Sequence, residues 1–247
     1  MRDHRERSVR HAPSREILER LRREIGGREG GHARFGEEPV RLGCAALDGV
    51  LPWGGLPRHA LHEVTGTAAT GFAAALAVRA LDRGGHLVWC TPDARARRWG
   101  EPYAPGLAAL GLDHRRLLLV RCPDEGEMFR AMEEALRCPA VHCALGEFEH
   151  LDLRSSRRLQ LAAEKGGGIG LLLGPRMFDP APIAALTRFR AEPFLLPRGR
   201  AFAVDLWRVR GGSPWSRVVQ WDAQTLSFTV VAGSSDRTDA TGRTAAG

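Results

Sequence analysis

The chain alternates short runs of apolar residues with segments in which apolar residues recur at the helical period. Five runs are apolar almost throughout and predict strands, at 61–64, 86–90, 117–122, 140–145 and 169–173. Helices are predicted between them, over 72–82, 125–137 and 153–165, with a broken helix before residue 111. Apolar strands separated by helices indicate an α/β fold, with a mainly parallel sheet flanked by helices on both faces.

The pattern changes near the C-terminus. Three strand-like runs lie close together there, at 201–209, 217–221 and 225–232, separated by the turn sequences "GGSP" and "DAQT". Such short connections are typical of antiparallel strands, so we predict an antiparallel extension of the sheet. Strand periodicity places Phe202, Val204 and Leu206 on one face of the first run. Trp207 and Val209 are then expected on the opposite face, as in a strand that is buried on both sides.

The two ends of the chain differ in character from its middle. Residues 13–25 form an amphipathic helical stripe whose apolar side includes Ile17, Leu18 and Leu21. A glycine-rich linker follows this stripe, and residues 233–247 contain little that could be buried. We therefore expect an N-terminal helix and flexible linker at 1–37, one folded domain at 38–232 and a disordered tail at 233–247. The stripe is expected to pack on its own domain or on another protein.

The composition is that of a globular protein with an excess of positive charge. The chain has 247 residues, of which 43% are hydrophobic, enough for a single α/β domain. No apolar run reaches the roughly 18 residues of a membrane span, and no signal sequence is evident, so we expect a cytoplasmic protein. The net charge of +7 favours anionic partners and a nucleoid-associated position. Lys165 is the one lysine among many arginines, a skew that GC-rich codons explain equally well.

Residues 61–73, "LHEVTGTAATGFA", have the outline of a nucleotide-binding phosphate loop. An apolar strand leads into Gly66, four residues and Gly71, which match the glycines of the motif GxxxxGK[ST]. Phe72 and Ala73 stand where the motif needs a lysine for the phosphates and a hydroxyl for magnesium. Phe72 is expected to open the next helix, whose N-terminus could still form a backbone cradle. Without the lysine and hydroxyl we predict no ATPase activity and no cofactor, and interpret the loop as a turn.

Two acidic residues lie close to the ends of predicted strands. Asp93 and Glu147 each come just after such a strand, at the edge where ligands of open α/β sheets bind. Beside a bound nucleotide they could place magnesium and activate water. No basic residue is expected to compensate for the missing lysine, because Lys165 ends a distant helix and Arg79 lies two turns along its own. The two acids would then repel phosphate groups, and we interpret them as vestigial.

The cysteines and histidines predict neither a metal site nor a catalytic residue. The five cysteines lie apart, mostly in apolar stretches, and are interpreted as reduced core residues. The run "CPAVHCALGEFEH" holds four potential zinc ligands, at positions 138, 142, 143 and 150. A zinc site needs four converging ligands, whereas His142 and Cys143 are adjacent in a predicted strand and point to opposite faces. We therefore expect a core cysteine and an ordinary histidine.

Arginine and tryptophan are interleaved in the segment "RGRAFAVDLWRVRGGSPWSRVVQW". The candidates there for contact with DNA or a partner protein are Arg198, Arg200, Trp207, Arg208, Arg210, Trp215 and Arg217. Arginine pairs with phosphates and aromatic rings stack on bases, but stacking requires exposed rings. A docking surface for a protein, and strands that simply bury their tryptophans, remain alternatives.

The region from 38 to 176 resembles the RecA/RadA family. Its opening, "VRLGCAALDGVLPWGGLPRHALHEVTG", has a Leu-Asp pair, a "GGLP" segment and a glutamate-containing strand before the glycine loop. The resemblance extends to "LVWCTPD" and "AVHCALGE", where Asp93 matches the family's water-activating acid and Glu147 its magnesium-linked acid. In "GLLLGPR", Gly174 and Pro175 replace a polar sensor pair. This resemblance implies a RecA-like core, here with a degenerate phosphate loop.

The degenerate loop, the arginine-rich character and the C-terminal segment "DLWRVRGG" are similar to the ImuA family of bacterial mutagenesis accessory proteins. This resemblance implies a non-catalytic adaptor of SOS mutagenesis and translesion DNA synthesis. It implies an ImuB-like partner, an inactive Y-family polymerase homologue, and indirect contact with an error-prone C-family DNA polymerase. RecA and DNA are further candidate partners, with residues 13–25 and the part from about 197 as the expected contact surfaces. Two alternatives remain open: a divergent RecA-type DNA-dependent ATPase and a cell-division inhibitor.

Overall fold

The structure is a computed structural model that describes residues 38–174 and 181–231. The helix predicted over 13–25, with its candidate contacts Ile17, Leu18 and Leu21, lies outside the described residues. So does the tail predicted from residue 233. The division of the chain into an N-terminal part, a folded domain and a tail therefore stays a prediction.

The described residues form helices that alternate with strands as the apolar pattern predicts. The helices are α1 (Ala45–Asp48), α2 (Ala69–Ala80), α3 (Asp93–Trp99), α4 (Ala104–Ala108), α5 (Glu125–Arg137) and α6 (Leu153–Gly166). The strands are β1 (Leu61–Thr65), β2 (His86–Pro92), β3 (Leu117–Cys122), β4 (Val141–Glu147), β5 (Ile169–Leu173), β6 (Thr187–Phe194), β7 (Arg200–Val209), β8 (Trp215–Asp222) and β9 (Ser227–Val230).

All nine strands belong to one sheet, in the order β3-β2-β4-β5-β1-β6-β7-β8-β9. The strands from β3 to β6 in that order pair in parallel, and β6 to β9 pair antiparallel. Strand β6 therefore joins the two halves, since it is parallel to β1 and antiparallel to β7. This architecture confirms the predicted α/β class, with a mainly parallel sheet and antiparallel C-terminal strands.

Helices cover both faces of the parallel half of the sheet, which is why a strand such as β5 has no polar side chain. Helix α2 covers one face, where Phe72 and Leu76 pack with Leu171 of β5. Helices α5 and α6 cover the other face, where Met132 packs with Leu172 of the same strand. Neighbouring residues of β5 thus enter different cores, as the pleat of a strand requires.

Helix α2 begins at Ala69, so the prediction that Phe72 opens this helix is wrong. The Phe72 amide already donates to the Ala68 carbonyl at 3.0 Å, and Gly71 lies inside the helix. The Phe72 ring is buried against three other phenylalanine rings, of Phe189, Phe202 and Phe228, at centroid distances of 5.7, 5.6 and 5.4 Å. Alanines favour helix, and this buried aromatic contact stabilises a helix that starts one turn early.

Strand β6 was missed by the sequence pattern. Its sequence, "TRFRAEPF", alternates charged and apolar positions, but the three charged residues and the proline count against a strand in the sequence. The register of the β6–β7 pair also shifts between Arg188 and Phe189. Because of this bulge Val209 reaches the same core as Leu206, and the prediction that it faces the other way is wrong.

Within the described ranges, no helix is both long and apolar enough to cross a membrane.

Candidate functional site

A small cleft lies where the carboxyl ends of β1, β4 and β5 meet. It has a volume of about 160 Å³ and is lined by the glycine loop at Gly66 and Thr67, by Arg95 and Tyr103, and by Glu147. The sequence correctly placed the loop and Glu147 at one edge of the sheet. Pockets for small-molecule ligands usually have about 300 Å³ or more, so this cleft is small for a nucleotide.

The backbone amides of the glycine loop bond to other parts of the protein. The Thr67 amide donates to a carboxylate oxygen of Glu192 at 3.3 Å, and the Ala68 amide donates to the Ala191 carbonyl at 3.0 Å. The Ala69 amide donates to the Gly66 carbonyl at 3.3 Å. A phosphate loop uses such amides to cradle phosphate. In this chain the Thr67 and Ala68 amides attach the loop to strand β6.

Gly66 is required by the close approach of β6 to the loop. Its φ is +99°, in the left-handed region that favours glycine. A Cβ atom on Gly66 would lie 2.3 Å from the Ala191 carbonyl oxygen. The glycine that resembled a phosphate-loop residue thus has a structural role here.

Glu192 places a carboxylate beside the N-terminus of α2. It accepts hydrogen bonds from the Thr67 amide and the Thr67 hydroxyl, and from Arg190 Nε at 3.0 Å. Partial burial acts to raise the pKa of this carboxyl, but the bonds from Thr67 and Arg190 outweigh it, so its pKa lies below the usual value. An anion at this position is stabilised by the positive end of the helix dipole. The sequence analysis did not single out Glu192, because β6 was not recognised as a strand; the alternation of charged and apolar residues over 188–193 is the signal that could have found it.

Glu147 is the buried last residue of β4 rather than a free acid beyond it. Its carboxylate accepts hydrogen bonds from Trp89 Nε1 at 2.8 Å and Thr91 Oγ1 at 3.2 Å, and it forms an ion pair with Arg95. Sequence reasoning missed Arg95, which lies on α3 and lines the same cleft as the glycine loop. The charge that was expected to repel phosphates is already neutralised by this arginine.

Asp93, the other predicted acid, is the first residue of α3. It accepts a hydrogen bond from Arg121 Nε at 2.9 Å and a longer one from Arg97 at 3.4 Å. The hydrogen bond from Arg121 is the main reason why its pKa is lowered. Arg121 also pairs with Glu101 at 2.8 Å. The acids at 93 and 147 therefore belong to separate arginine pairs.

The two basic residues considered as substitutes for the missing phosphate-loop lysine lie away from the loop. Arg79 donates from Nε to the Arg41 carbonyl at 2.6 Å and from Nη1 to the Leu226 carbonyl at 3.0 Å. Lys165 is exposed in the last turn of α6. The positions of Arg79 and Lys165 agree with the expectation that neither side chain reaches the loop.

A buried ion pair joins β1 to β6 beside the cleft. Arg188 is 1% exposed and binds both carboxylate oxygens of Glu63, and its Nη1 donates to the Ala181 carbonyl at 2.7 Å. The Trp207 ring stacks on the same guanidinium, with the central carbon 4.2 Å from the ring centroid. The Trp207 ring is thus engaged within the fold, which does not suit a base-stacking platform. Sequence reasoning missed this pair because its partners are far apart in the chain.

The arginine and tryptophan candidates of the C-terminal strands do not form one surface. Arg198 and Arg200 are exposed at the start of β7, and Arg208 and Arg210 are exposed at its far end. At about 3.3 Å per residue the two pairs lie roughly 26 Å apart. Among the remaining candidates, Trp215 and Arg217 are half-buried in β8, and the Trp215 ring contacts Phe189 at a centroid distance of 6.4 Å.

The cysteines and histidines have separate environments. All five cysteines carry free thiols, and Cys143 is fully buried, whereas Cys138 is exposed. Burial raises the pKa of the Cys143 thiol. In residues 38–174 and 181–231, no group of three or more histidines, cysteines or acids is placed to hold a metal ion.

Comparison with known proteins identifies relatives of the chain. No protein-family model matches it. It is 37% identical over 209 residues to Protein ImuA from Caulobacter vibrioides, both in strain NA1000 / CB15N and in strain ATCC 19089 / CIP 103742 / CB 15. The similarity covers 73% of this chain and 82% of the relative. A shorter similarity, 32% over 90 residues, links 36% of the chain to about half (49%) of the cell division inhibitor SulA from Edwardsiella piscicida. The similarity to Protein ImuA extends over most of both chains, and this chain therefore belongs to the ImuA family.

Proposed function

We propose that this chain is a non-catalytic accessory protein of DNA-damage-induced SOS mutagenesis and translesion DNA synthesis. Its membership of the ImuA family supports the cellular role. The observation that carries the non-catalytic assignment is the engagement of the loop amides, because Thr67 donates to Glu192 and Ala68 donates to Ala191. A loop bonded in this way has no amides left at these positions for a phosphate.

The charges around the cleft also argue against ATP hydrolysis. Phosphoryl transfer depends on positioning and on neutralisation of the developing negative charge. Arg95 is the basic residue that lines the cleft, and it forms an ion pair with Glu147. A nucleotide would have to displace Glu192 from the loop and Arg95 from Glu147. These exchanges make the divergent-ATPase alternative the weaker hypothesis.

The proposed partners are proteins of the mutagenesis machinery. The main one is an ImuB-like protein, a catalytically inactive homologue of Y-family polymerases, through which the chain would act with an error-prone C-family polymerase. The net charge of +7 and the exposed arginines of β7 leave RecA and DNA as additional partners. Protein contact is the primary activity in this proposal, because the RecA-like core would serve as a scaffold.

Titration calorimetry with ATP and magnesium, with and without single-stranded DNA, tests the non-catalytic assignment. The full chain is expected to give no binding heat at micromolar nucleotide. A Glu192→Gln variant, which removes the negative charge next to the Thr67 amide, serves as a second sample. Micromolar binding by the unmodified chain, accompanied by DNA-stimulated phosphate release, would establish the ATPase alternative instead.

Co-expression tests the partner assignment. The full chain is expected to co-purify with the ImuB-like protein encoded in the same genome, as a complex that persists in gel filtration.

Cell morphology tests the division-inhibitor alternative in parallel. Filamentous growth on expression without DNA damage, together with no complex, would favour that alternative over the proposed function.

A further inference from the structure

The tip of the β6–β7 hairpin, residues 193–200, forms one wall of an open groove of about 350 Å³. We call this surface the hairpin groove. Its apolar lining comes from the tip, from the start of α2 and from the segment after α4, and includes Gly71, Leu110, Phe194, Leu195, Leu196 and Phe202. The groove is separate from the cleft beside Glu147.

The hairpin tip exposes large apolar side chains. Leu195 is 93% exposed and Phe194 is 41% exposed, and the two residues are consecutive. Isolated exposed apolar residues are common, but adjacent ones that border an apolar groove are typical of a contact surface. The removal of these side chains from water would favour binding of a complementary apolar surface.

The rim of the groove carries positive charge that has no ion-pair partner in the described part of the chain. Arg198 and Arg200 are both exposed, and Arg200 Nη1 donates to the neutral Gly106 carbonyl at 3.2 Å. Arg190, in the same hairpin, differs because it pairs with Glu192. Two uncompensated arginines beside an apolar groove are complementary to a partner that combines acidic and apolar side chains.

The backbone of the hairpin limits how a partner can bind. Strand β6 is paired with β1 and β7, and β7 is paired with β6 and β8. Only residues 191–194 of β6 extend beyond the pairing with β1, which leaves a short stretch for the addition of a partner strand. Recognition therefore relies mainly on side chains, as when an amphipathic helix places its apolar face in a groove.

We propose that the hairpin groove binds an amphipathic helix of the protein partner, with the apolar face against Leu195 and acidic residues opposite Arg198 and Arg200. This inference rests on the proposed function, because it assigns the contact surface for the ImuB-like partner. Single-stranded DNA fits the groove less well, because the most exposed side chain, that of Leu195, is aliphatic, and Phe194 is the one exposed aromatic ring among the residues that line the groove.

Affinity measurements with surface variants of the full chain test the groove. The Leu195→Asp variant and the Arg198→Glu/Arg200→Glu double variant are titrated with the purified ImuB-like protein from the same genome. Each is expected to weaken binding at least tenfold. Because these side chains are exposed, circular dichroism and the melting temperature should stay unchanged.

Two matched controls separate the groove from general surface effects. Leu161 is 64% exposed on α6, so Leu161→Asp introduces the same charge elsewhere. Arg154→Glu/Arg157→Glu reverses two exposed arginines on α6. Both controls are expected to stay within twofold of the unmodified affinity.

The outcomes distinguish this inference from the proposed function. Tight binding by the unmodified chain that Leu195→Asp leaves unchanged would overturn the groove assignment and leave the proposed function standing. Absence of binding by the unmodified chain would overturn both. The Arg198→Glu/Arg200→Glu variant is also titrated with a fluorescent single-stranded oligonucleotide. If it loses affinity for the oligonucleotide but keeps its affinity for the protein, the rim binds DNA and the helix proposal is overturned.

Discussion

The Glu192 carboxylate accepts hydrogen bonds from both the amide and the hydroxyl of Thr67, at the N-terminus of α2. An active phosphate loop holds the phosphates of a nucleotide at the corresponding position. In this chain an anion of the protein itself occupies it, and the contact connects β6 to the loop after β1. The loop is therefore part of the connection between the parallel and antiparallel halves of the sheet.

Replacement of Glu192 by glutamine should lower the free energy of unfolding by about 1 kcal/mol, because it removes a charge-assisted hydrogen bond and an anion at a helix N-terminus. Urea denaturation at pH 7 measures the change. Glu134→Gln is the matched control, since Glu134 is exposed and pairs with Arg137 on the surface. An equal effect in both variants would contradict the special role of Glu192.

Loss of the buried Arg188 guanidinium should be among the most destabilising single changes. Arg188→Met leaves the Glu63 carboxylate buried without its cation, which typically lowers the free energy of unfolding by about 3–5 kcal/mol. The double variant Glu63→Gln/Arg188→Met should recover part of that loss, because no charge is then left buried. Chemical denaturation of the three proteins tests the coupling, and additive effects would argue against it.

Stability should depend on pH through His62. This histidine is fully buried between Thr187 Oγ1, at 2.7 Å, and the Pro57 carbonyl, at 3.0 Å. Burial lowers its pKa from 6.5 to about 4, although the bond to Pro57 partly opposes the shift. The unfolded chain then binds the proton more readily, so stability is complete above pH 6.5 and declines towards pH 4, by up to about 3 kcal/mol.

Denaturation at a series of pH values, compared with a His62→Gln variant, isolates this contribution. The variant is expected to lose the part of the slope that lies between pH 6.5 and pH 4. A direct NMR titration is the independent check, and a His62 pKa close to 6.5 in the folded protein would contradict the prediction.

Restoration of the missing lysine should damage the fold rather than restore ATP binding. Phe72 is 3% exposed in an aromatic cluster, so Phe72→Lys removes buried contacts and introduces a charge into the core. We expect a loss of at least about 3 kcal/mol of unfolding free energy. Thr70→Lys, at an exposed position of the same helix, is the control and should change little. Nucleotide turnover by a stable Phe72→Lys protein would show that the loop remains competent.

The apolar pattern predicted most of the fold because the relevant signals are local. Helix α5 has the predicted bounds, and strands β3 and β5 do as well. Each is defined by its own periodicity and by the turn residues beside it. Strand β6 was not recognised because charged residues and a proline count against a strand, and the distant partners that satisfy Arg188 and Glu192 leave no local pattern.

In the candidate site, too, some features follow from the sequence alone and others only from the tertiary structure. By itself the sequence determined that a phosphate-loop outline exists, that lysine and hydroxyl are absent from it, and that Glu147 lies near the same edge of the sheet. The tertiary structure decided what the remaining groups do. The partners of Thr67 and Glu63 lie 125 residues away along the chain, and Glu147 is neutralised by an arginine 52 residues before it. Hydrogen bonds and ion pairs act over a few ångströms, so only the folding of β6 and α3 against the loop determines which of these groups meet.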